Sequence, residues 1–371
     1  MTLGAVIRLK ILFLEFFTAK KCKLKPGMTK KGHSEADWHV EARQGGVYLP
    51  QVDLWMDPKR PQGKALVTHA HYDHLAAHGE ILASPGTAEL LKVRVPKGIK
   101  IRKIDFGKAM DLGSGARLTL VPAGHILGSS MALVERRVGG TKKKTRLLYT
   151  GDFKLRKSLT VEACEPVRAD VLVMETTFGL PKFRMPSSEQ VIGEILKFCR
   201  ENLAQGKVPV LLGYALGKSQ ETMRILAREK WPLLLHPSIQ TMAGIYRNLG
   251  VALPEGRTLN ATTGKKAGGH VVLCPPQAVR SKGLQKLGAI KTAMLSGWAL
   301  ERGAIYRYGC DAAFPLSDHA DYDELWEMVR LVEPNQVRTL HGFAREFAMA
   351  LQEKGVEAWA LTGDTQMVLP I

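Results

Sequence analysis

A chain of 371 residues with 45% hydrophobic content can bury a full core, and at about 100–200 residues per domain it holds two domains, which excludes a largely disordered polypeptide. The 53 Lys and Arg against 35 Asp and Glu give a formal charge of +18, a balance that favours an anionic partner, nucleic acid first. The five cysteines, Cys22, Cys164, Cys199, Cys274 and Cys310, are odd in number and lack a C-x-x-C pair, which argues against a disulfide scaffold and for reduced thiols in a cytoplasmic protein.

Residues 5–17 (AVIRLKILFLEFF) are apolar but broken by Arg8, Lys10 and Glu15, too short for a membrane span and without a small-residue cleavage site after them. The polar, basic stretch that follows makes residues 1–37 a loose tail, with Met28 an alternative start. From Gly46 onward, short apolar runs alternate with turn residues: GVYLP, VDLWMD, KALVTHAH, ARLTLVPAGH, TRLLYTGD and DVLVMETT. These read as strands, several ending on a polar residue, namely Asp57, His69, His125, Asp152 and Glu175, so that one rim of a sheet can gather them. The charged GGTKKKTR at 139–146 reads as a solvated hairpin.

Beyond about Pro181 strand and helix alternate. SSEQVIGEILKFCRENLAQG has a Ser start, apolar residues at helical spacing and a closing Gly206, the signature of a capped helix. PVLLGYALGKSQETMRILARE reads as strand, glycine turn and helix, and HVVLCPP and KTAMLSGW as further strands, an α/β unit of roughly 130 residues set between two parts of the first.

T-H-A-H-Y-D-H at 68–74 carries the densest chemistry. On an extended strand end His69 and His71 point to one side and can grip a single metal, while Asp73 and His74 in the loop beyond can turn to a second. Two zinc ions need about four ligands each, so others must come from elsewhere. His125 in P-A-G-H and Asp152 in T-G-D are suited by type and by glycine neighbours that allow close backbone approach.

These motifs resemble the successive motifs of metallo-β-lactamase-fold hydrolases, and G-H-I-L-G-S at 124–129 is most similar to the nucleic-acid-processing β-CASP branch. E-T-T-F (175–178), S-D-H-A-D (317–321) and L-H-G (340–342) resemble that branch's motifs A, B and C. Y-A-L-G-K-S-Q (214–220) and S-G-W (296–298) look most like the ligase-associated bacterial DNA exonucleases. The resemblance implies an α/β fold, an αββα sandwich from residues 38–181 and 313–371 with a β-CASP domain inserted at 182–312. It implies two Zn²⁺, with Mn²⁺ also matching the ligand types: His69, His71 and His125 on one ion, Asp73, His74 and His341 on the other, Asp152 bridging. Asp57 would support the histidine loop, His319 donate a proton to the leaving oxygen, and Glu175 orient His319. Lys218 and Ser219 at a helix start would hold a backbone phosphate, Ser317 would line the same track, and Trp298 would stack on a base. G-Y-A-L-G-K-S is one residue short of a Walker A loop, which argues against ATP.

The implied function is a metal-dependent nuclease, a DNA exonuclease acting with a DNA ligase. His341 leans towards RNA, because RNA-processing members of the branch carry a motif C histidine and DNA-repair members lack it, so an RNA-processing nuclease is the alternative. A small-molecule hydrolase has no use for the inserted domain or the +18 charge, and a non-catalytic binder would not need every ligand in place.

Overall fold

The computed structural model describes residues 38–361 except 114, 140, 265, 280 and 282; the basic tail at 1–37 and the question of Met28 lie outside the described residues. Among these residues the strands form three sheets. The first runs Glu41–Arg43, Gly46–Leu49, Leu54–Met56, Lys64–Leu66, Glu80–Ala83 and Lys100–Lys103 in spatial order. The second runs Glu357–Ala360, Gln336–Leu340, Val171–Glu175, Lys144–Tyr149, Ser130–Arg137, Ala116–Pro122 and Ala109–Gly113.

Alternating apolar residues glue these two sheets face to face: Val47, Leu49, Met56, Leu66 and Leu82 of the first pack against Leu118, Leu120, Val134, Leu147 and Val173 of the second. Each outer face takes a helical layer. Leu325, Met328 and Val332 of helix Tyr322–Val332 and Phe347 and Leu351 of helix Ala344–Glu353 cover the second sheet. Ala88, Leu90 and Leu91 of helix Pro85–Leu91 cover the first. The result is a helix–sheet–sheet–helix sandwich of the metallo-β-lactamase kind.

The third sheet, Arg257–Thr258, Leu233–Leu235, Val271–Cys274, Val208–Leu212, Ile290–Leu295 and Ala312–Phe314, is parallel throughout. Like other parallel sheets it is buried on both faces, between clusters built from Val191, Ile195, Met223 and Ile239 on one side and Leu259, Ala267 and Leu284 on the other. Ser187 caps helix Ser188–Ala204 by accepting from Gln190 N at 3.2 Å, the start read from the sequence. The chain enters this sheet after Val171–Glu175 and returns to Gln336–Leu340, its parallel neighbour. The last strand, Ala312–Phe314, runs two residues past the expected boundary at 312.

Candidate metal centre

His69 and His71 do not sit on a strand. Val67 N still donates to the Leu82 carbonyl at 2.9 Å, and the strand Lys64–Leu66 goes no further because the amide after that turns to a side chain: Thr68 N donates to Asp57 Oδ1 at 2.8 Å. The freed loop carries His69 and His71, and a single 3-10 turn, Tyr72–His74, carries the rest of the motif. Asp57, itself left-handed at φ 49°, also accepts from Thr68 Oγ1 at 2.6 Å and from Tyr149 OH at 3.0 Å, and lies 3.2 Å from His74 Nδ1. These contacts brace the loop. Gly151 allows the loop's close approach: a Cβ there would stand 2.6 Å from Thr68 Oγ1.

The hydrogen bonds fix which ring atom of each histidine is left to face inward. Thr68 spends its hydroxyl proton on Asp57, so its oxygen accepts from His69 Nδ1 at 3.1 Å and Nε2 of His69 keeps its lone pair. His71 Nε2 donates to the Leu216 carbonyl at 3.2 Å, leaving Nδ1 free. His125 Nδ1 donates to the Asp318 carbonyl at 2.8 Å, leaving Nε2 free. These freed atoms meet. His71 Nδ1 and His125 Nε2 lie 3.0 Å apart, and Asp152 Oδ2 lies 3.4 Å from His69 Nε2, 3.4 Å from His74 Nε2 and 3.7 Å from His125 Nε2.

This arrangement fits a bound cation. Two lone pairs facing each other repel, and His69 Nε2 is buried with no hydrogen-bond partner, a situation that costs about 1–3 kcal/mol unless something accepts it. Ligand atoms of His69, His71, His125 and Asp152 lie within 4.8 Å of one another, as do those of Asp57, His69 and His74. Burial and the charge of His74 hold the His69 imidazole well below its usual range, and burial with the neighbouring His319 takes His125 down to about 3. Neutral imidazoles of this sort are the ligand form. Burial opposes charge on His74 as well, but Asp152 and Asp57 outweigh it and raise that ring well above its usual range. Burial pushes Asp152 up, yet His74 and His319 keep its carboxyl well below the ordinary range.

Asp73 and His341 stand further out. The Asp73 side chain is 62% exposed, with Oδ2 3.8 Å from His74 Nε2, and the His341 ring centroid lies 6.0 Å from that of His74. Neither belongs to the tight ligand-atom groups. His341 adopts φ 61°, a left-handed turn that non-glycine residues take only when the surroundings impose it.

His319 Nδ1 is 3.0 Å from Glu175 Oε1, and its Nε2 is 3.9 Å from Asp152 Oδ2. Phe153 N and Thr177 N also donate to Glu175, at 3.3 and 3.1 Å, so the carboxylate is aimed before His319 arrives. Burial pushes the His319 imidazole down, but Glu175 and Asp152 prevail and raise it to about 10. Arg156 grips the same turn, donating from Nη2 to the His319 carbonyl at 3.3 Å and from Nη1 to Asp321 at 2.7 Å.

The expected nucleic-acid contacts are placed otherwise. Lys218 is 3% exposed and its ammonium sits 2.5 Å from Asp318 Oδ1, so it holds a protein carboxylate where a phosphate was expected. Ser219, also buried, donates to the Tyr214 carbonyl at 2.6 Å. Ser317 is buried and spends its hydroxyl on the His319 turn, accepting from His319 N at 3.1 Å and donating to its carbonyl at 3.0 Å. Trp298 packs against Phe178 and Phe183, ring centroids 4.9 and 5.3 Å away, a half-buried aromatic cluster in place of a base platform. Sequence reasoning missed Asp318, Leu216, Tyr149 and Arg156. Asp318 and Tyr149 stood inside quoted motifs, but nothing in the sequence signalled that a leucine carbonyl holds His71.

Residues 52–210 match the beta-lactamase superfamily domain. The chain is 46% identical over 334 residues, 90% of its length, to a protein of Opitutus terrae named "Probable DNA ligase", of which it covers 32%. It is 25% identical over 311 residues, 73% of its length, to the "DNA cross-link repair protein SNM1" of Arabidopsis thaliana, of which it covers 59%. It is 33% identical over 153 residues, 40% of its length, to the "Endoribonuclease YSH1" of Yarrowia lipolytica, of which it covers 17%. The chain thus spans less than two-thirds of each of these relatives. The motif order, the sandwich and the histidine–aspartate cluster agree with these likenesses: the chain carries a beta-lactamase superfamily domain over residues 52–210, and β-CASP nucleases are among its relatives.

Proposed function

We propose that the chain is a two-metal phosphodiesterase that hydrolyses nucleic acid, a DNA exonuclease working beside a DNA ligase in a cytoplasmic setting. The observation that carries this reading is the convergence of lone-pair nitrogens of His69, His71 and His125 on the Asp152 carboxylate, with the His319–Glu175 pair alongside. Two Zn²⁺ would be held by His69, His71 and His125 and by Asp73, His74 and His341, with Asp152 between them; bound there, they would supply Lewis acidity and an activated water.

The chain's own groups do the rest. Asp57 keeps His74 aimed through Nδ1, and the Leu216 and Asp318 carbonyls do the same for His71 and His125. Glu175 orients His319 so that Nε2 can carry a proton to the leaving oxygen of a phosphodiester. The division into a sandwich at 38–181 and 313–371 and an insert at 182–312 is part of this reading, supported by the third sheet lying in sequence between two neighbouring strands of the second. Among the described residues no helix is long and apolar enough to cross a membrane, and Cys164, Cys199, Cys274 and Cys310 are free thiols.

The choice of DNA rests on the likeness to the probable DNA ligase, which extends over 90% of this chain. A second reading, an RNA-processing nuclease with the same chemistry, is favoured by His341 and by the endoribonuclease relative. Matched end-labelled DNA and RNA, single- and double-stranded, separate the two: DNA shortened from its end faster than RNA is the expected result, and the reverse order favours the second reading.

A further inference from the structure

The turn that gathers the candidate ligands also exposes a ring. Tyr72 lies between His71 and Asp73 in the 3-10 turn, yet it is 66% exposed, an unusual position for a large aromatic side chain. The Arg94 guanidinium covers one of its faces, with Cζ 3.7 Å from the ring centroid. The Nε of Arg94 is buried without a hydrogen-bond partner, so the group is held in place by stacking. Cation and ring together form a flat, positively charged surface beside the cluster.

The inserted domain offers a second ring. Tyr214 is 49% exposed and lies two residues before Leu216, whose carbonyl holds His71. Lys218 Nζ stands 5.8 Å from its ring centroid. Burial, with the charges of Asp318, Tyr308 and Asp73, holds its hydroxyl above the usual range. Trp298, by contrast, is occupied by Phe178 and Phe183. Unspent aromatic faces next to a phosphodiester site are the feature that holds single-stranded nucleic acid, because every base has a π-face and stacking is tolerant of sequence.

We propose that Tyr72, backed by Arg94, and Tyr214 are the surfaces on which nucleobases of the bound strand stack as its backbone reaches the metal cluster. The inference rests on the nuclease reading and deepens it. It assigns positioning to two residues that stand inside the quoted motifs but carried no role there, and makes the substrate strand unpaired where it meets the cluster.

The test compares steady-state cleavage, by the purified full chain loaded with zinc, of a single-stranded oligodeoxynucleotide and of the same strand with abasic sites at its terminal positions. On the base-bearing strand, Tyr72→Ala and Tyr214→Ala each raise KM by about 5-fold or more, as loss of one stacked base requires, with kcat and metal content unchanged. Tyr72→Phe and Tyr214→Phe, which keep the ring, restore KM. On the abasic strand, wild type and alanine variants behave alike. An alanine variant that matches wild type on the base-bearing strand, or that loses equally on both strands, overturns the assignment for that residue. Failure of the wild type to bind or cut either strand overturns the phosphodiesterase reading, and this inference with it.

Discussion

Lys218→Met tests the most consequential difference between sequence and structure. A lysine at a helix start after a glycine turn reads as a phosphate contact, and its loss would then weaken nucleic-acid binding and leave the fold intact. In the structure Lys218 and Asp318 are 3% and 5% exposed and 2.5 Å apart, joining the inserted domain to the turn that carries His319. Asp318 Oδ2 already has no hydrogen-bond partner. Removing the ammonium leaves a buried carboxylate uncompensated, a change that costs about 3–5 kcal/mol. At about 2–4 °C per kcal/mol for a large domain, the melting temperature should fall by about 6 °C or more. The double variant Lys218→Met with Asp318→Asn removes both charges and should recover much of that loss. Thermal melts of the three proteins, alongside DNA binding titrated with salt, decide the matter. A Lys218→Met melting temperature within about 1 °C of wild type, coupled with a shallower salt dependence of binding, would refute the ion-pair account and return Lys218 to the substrate.

Three further outcomes follow from the centre itself. His319→Ala should keep its metals and lose about 10²–10⁴-fold in cleavage rate, the worth of a positioned proton donor; loss of metal by mass spectrometry would make His319 a ligand instead. Asp152→Ala should empty both sites or leave one weakly held, whereas His341→Ala, altering a ring 6.0 Å from His74, should empty only the second; equal metal content in wild type and both variants contradicts the assignment. Burial pushes the Cys199 and Cys274 thiols up to about 12, so both stay protonated and resist alkylation at about neutral pH until the chain unfolds; peptide mapping that finds either one modified in the native protein contradicts their placement.

What could be read from the sequence was what is local in it. The strand runs and the capped helix at Ser187 depend on period and caps, whereas the sandwich came from the resemblance that the motifs carry. The histidines of T-H-A-H-Y-D-H lie within six positions of one another, so the nearness of His69, His71 and His74 needed no knowledge of the rest. Partnerships across long stretches of chain were hidden. His71 meets the Leu216 carbonyl 145 residues away, and Lys218 meets Asp318 100 residues away. A backbone carbonyl has no sequence signature, and a buried lysine looks like an exposed one until its carboxylate is found. The placing of His69 and His71 on a strand failed for a related reason: beyond Val67 a single side chain, Asp57, takes the Thr68 amide that a strand would have spent on a neighbour's carbonyl. Trp298 followed the same pattern, because Phe178 and Phe183, more than 100 residues earlier, had taken its faces.

The most direct test of the account is a degradation assay on end-labelled DNA with metal-stripped protein, titrated with zinc or manganese and run beside Asp152→Ala. Strand shortening that appears as two metal equivalents bind, and that is absent in the variant, is the expected result. Wild-type protein that binds two metal ions per chain and leaves both DNA and RNA intact would contradict it.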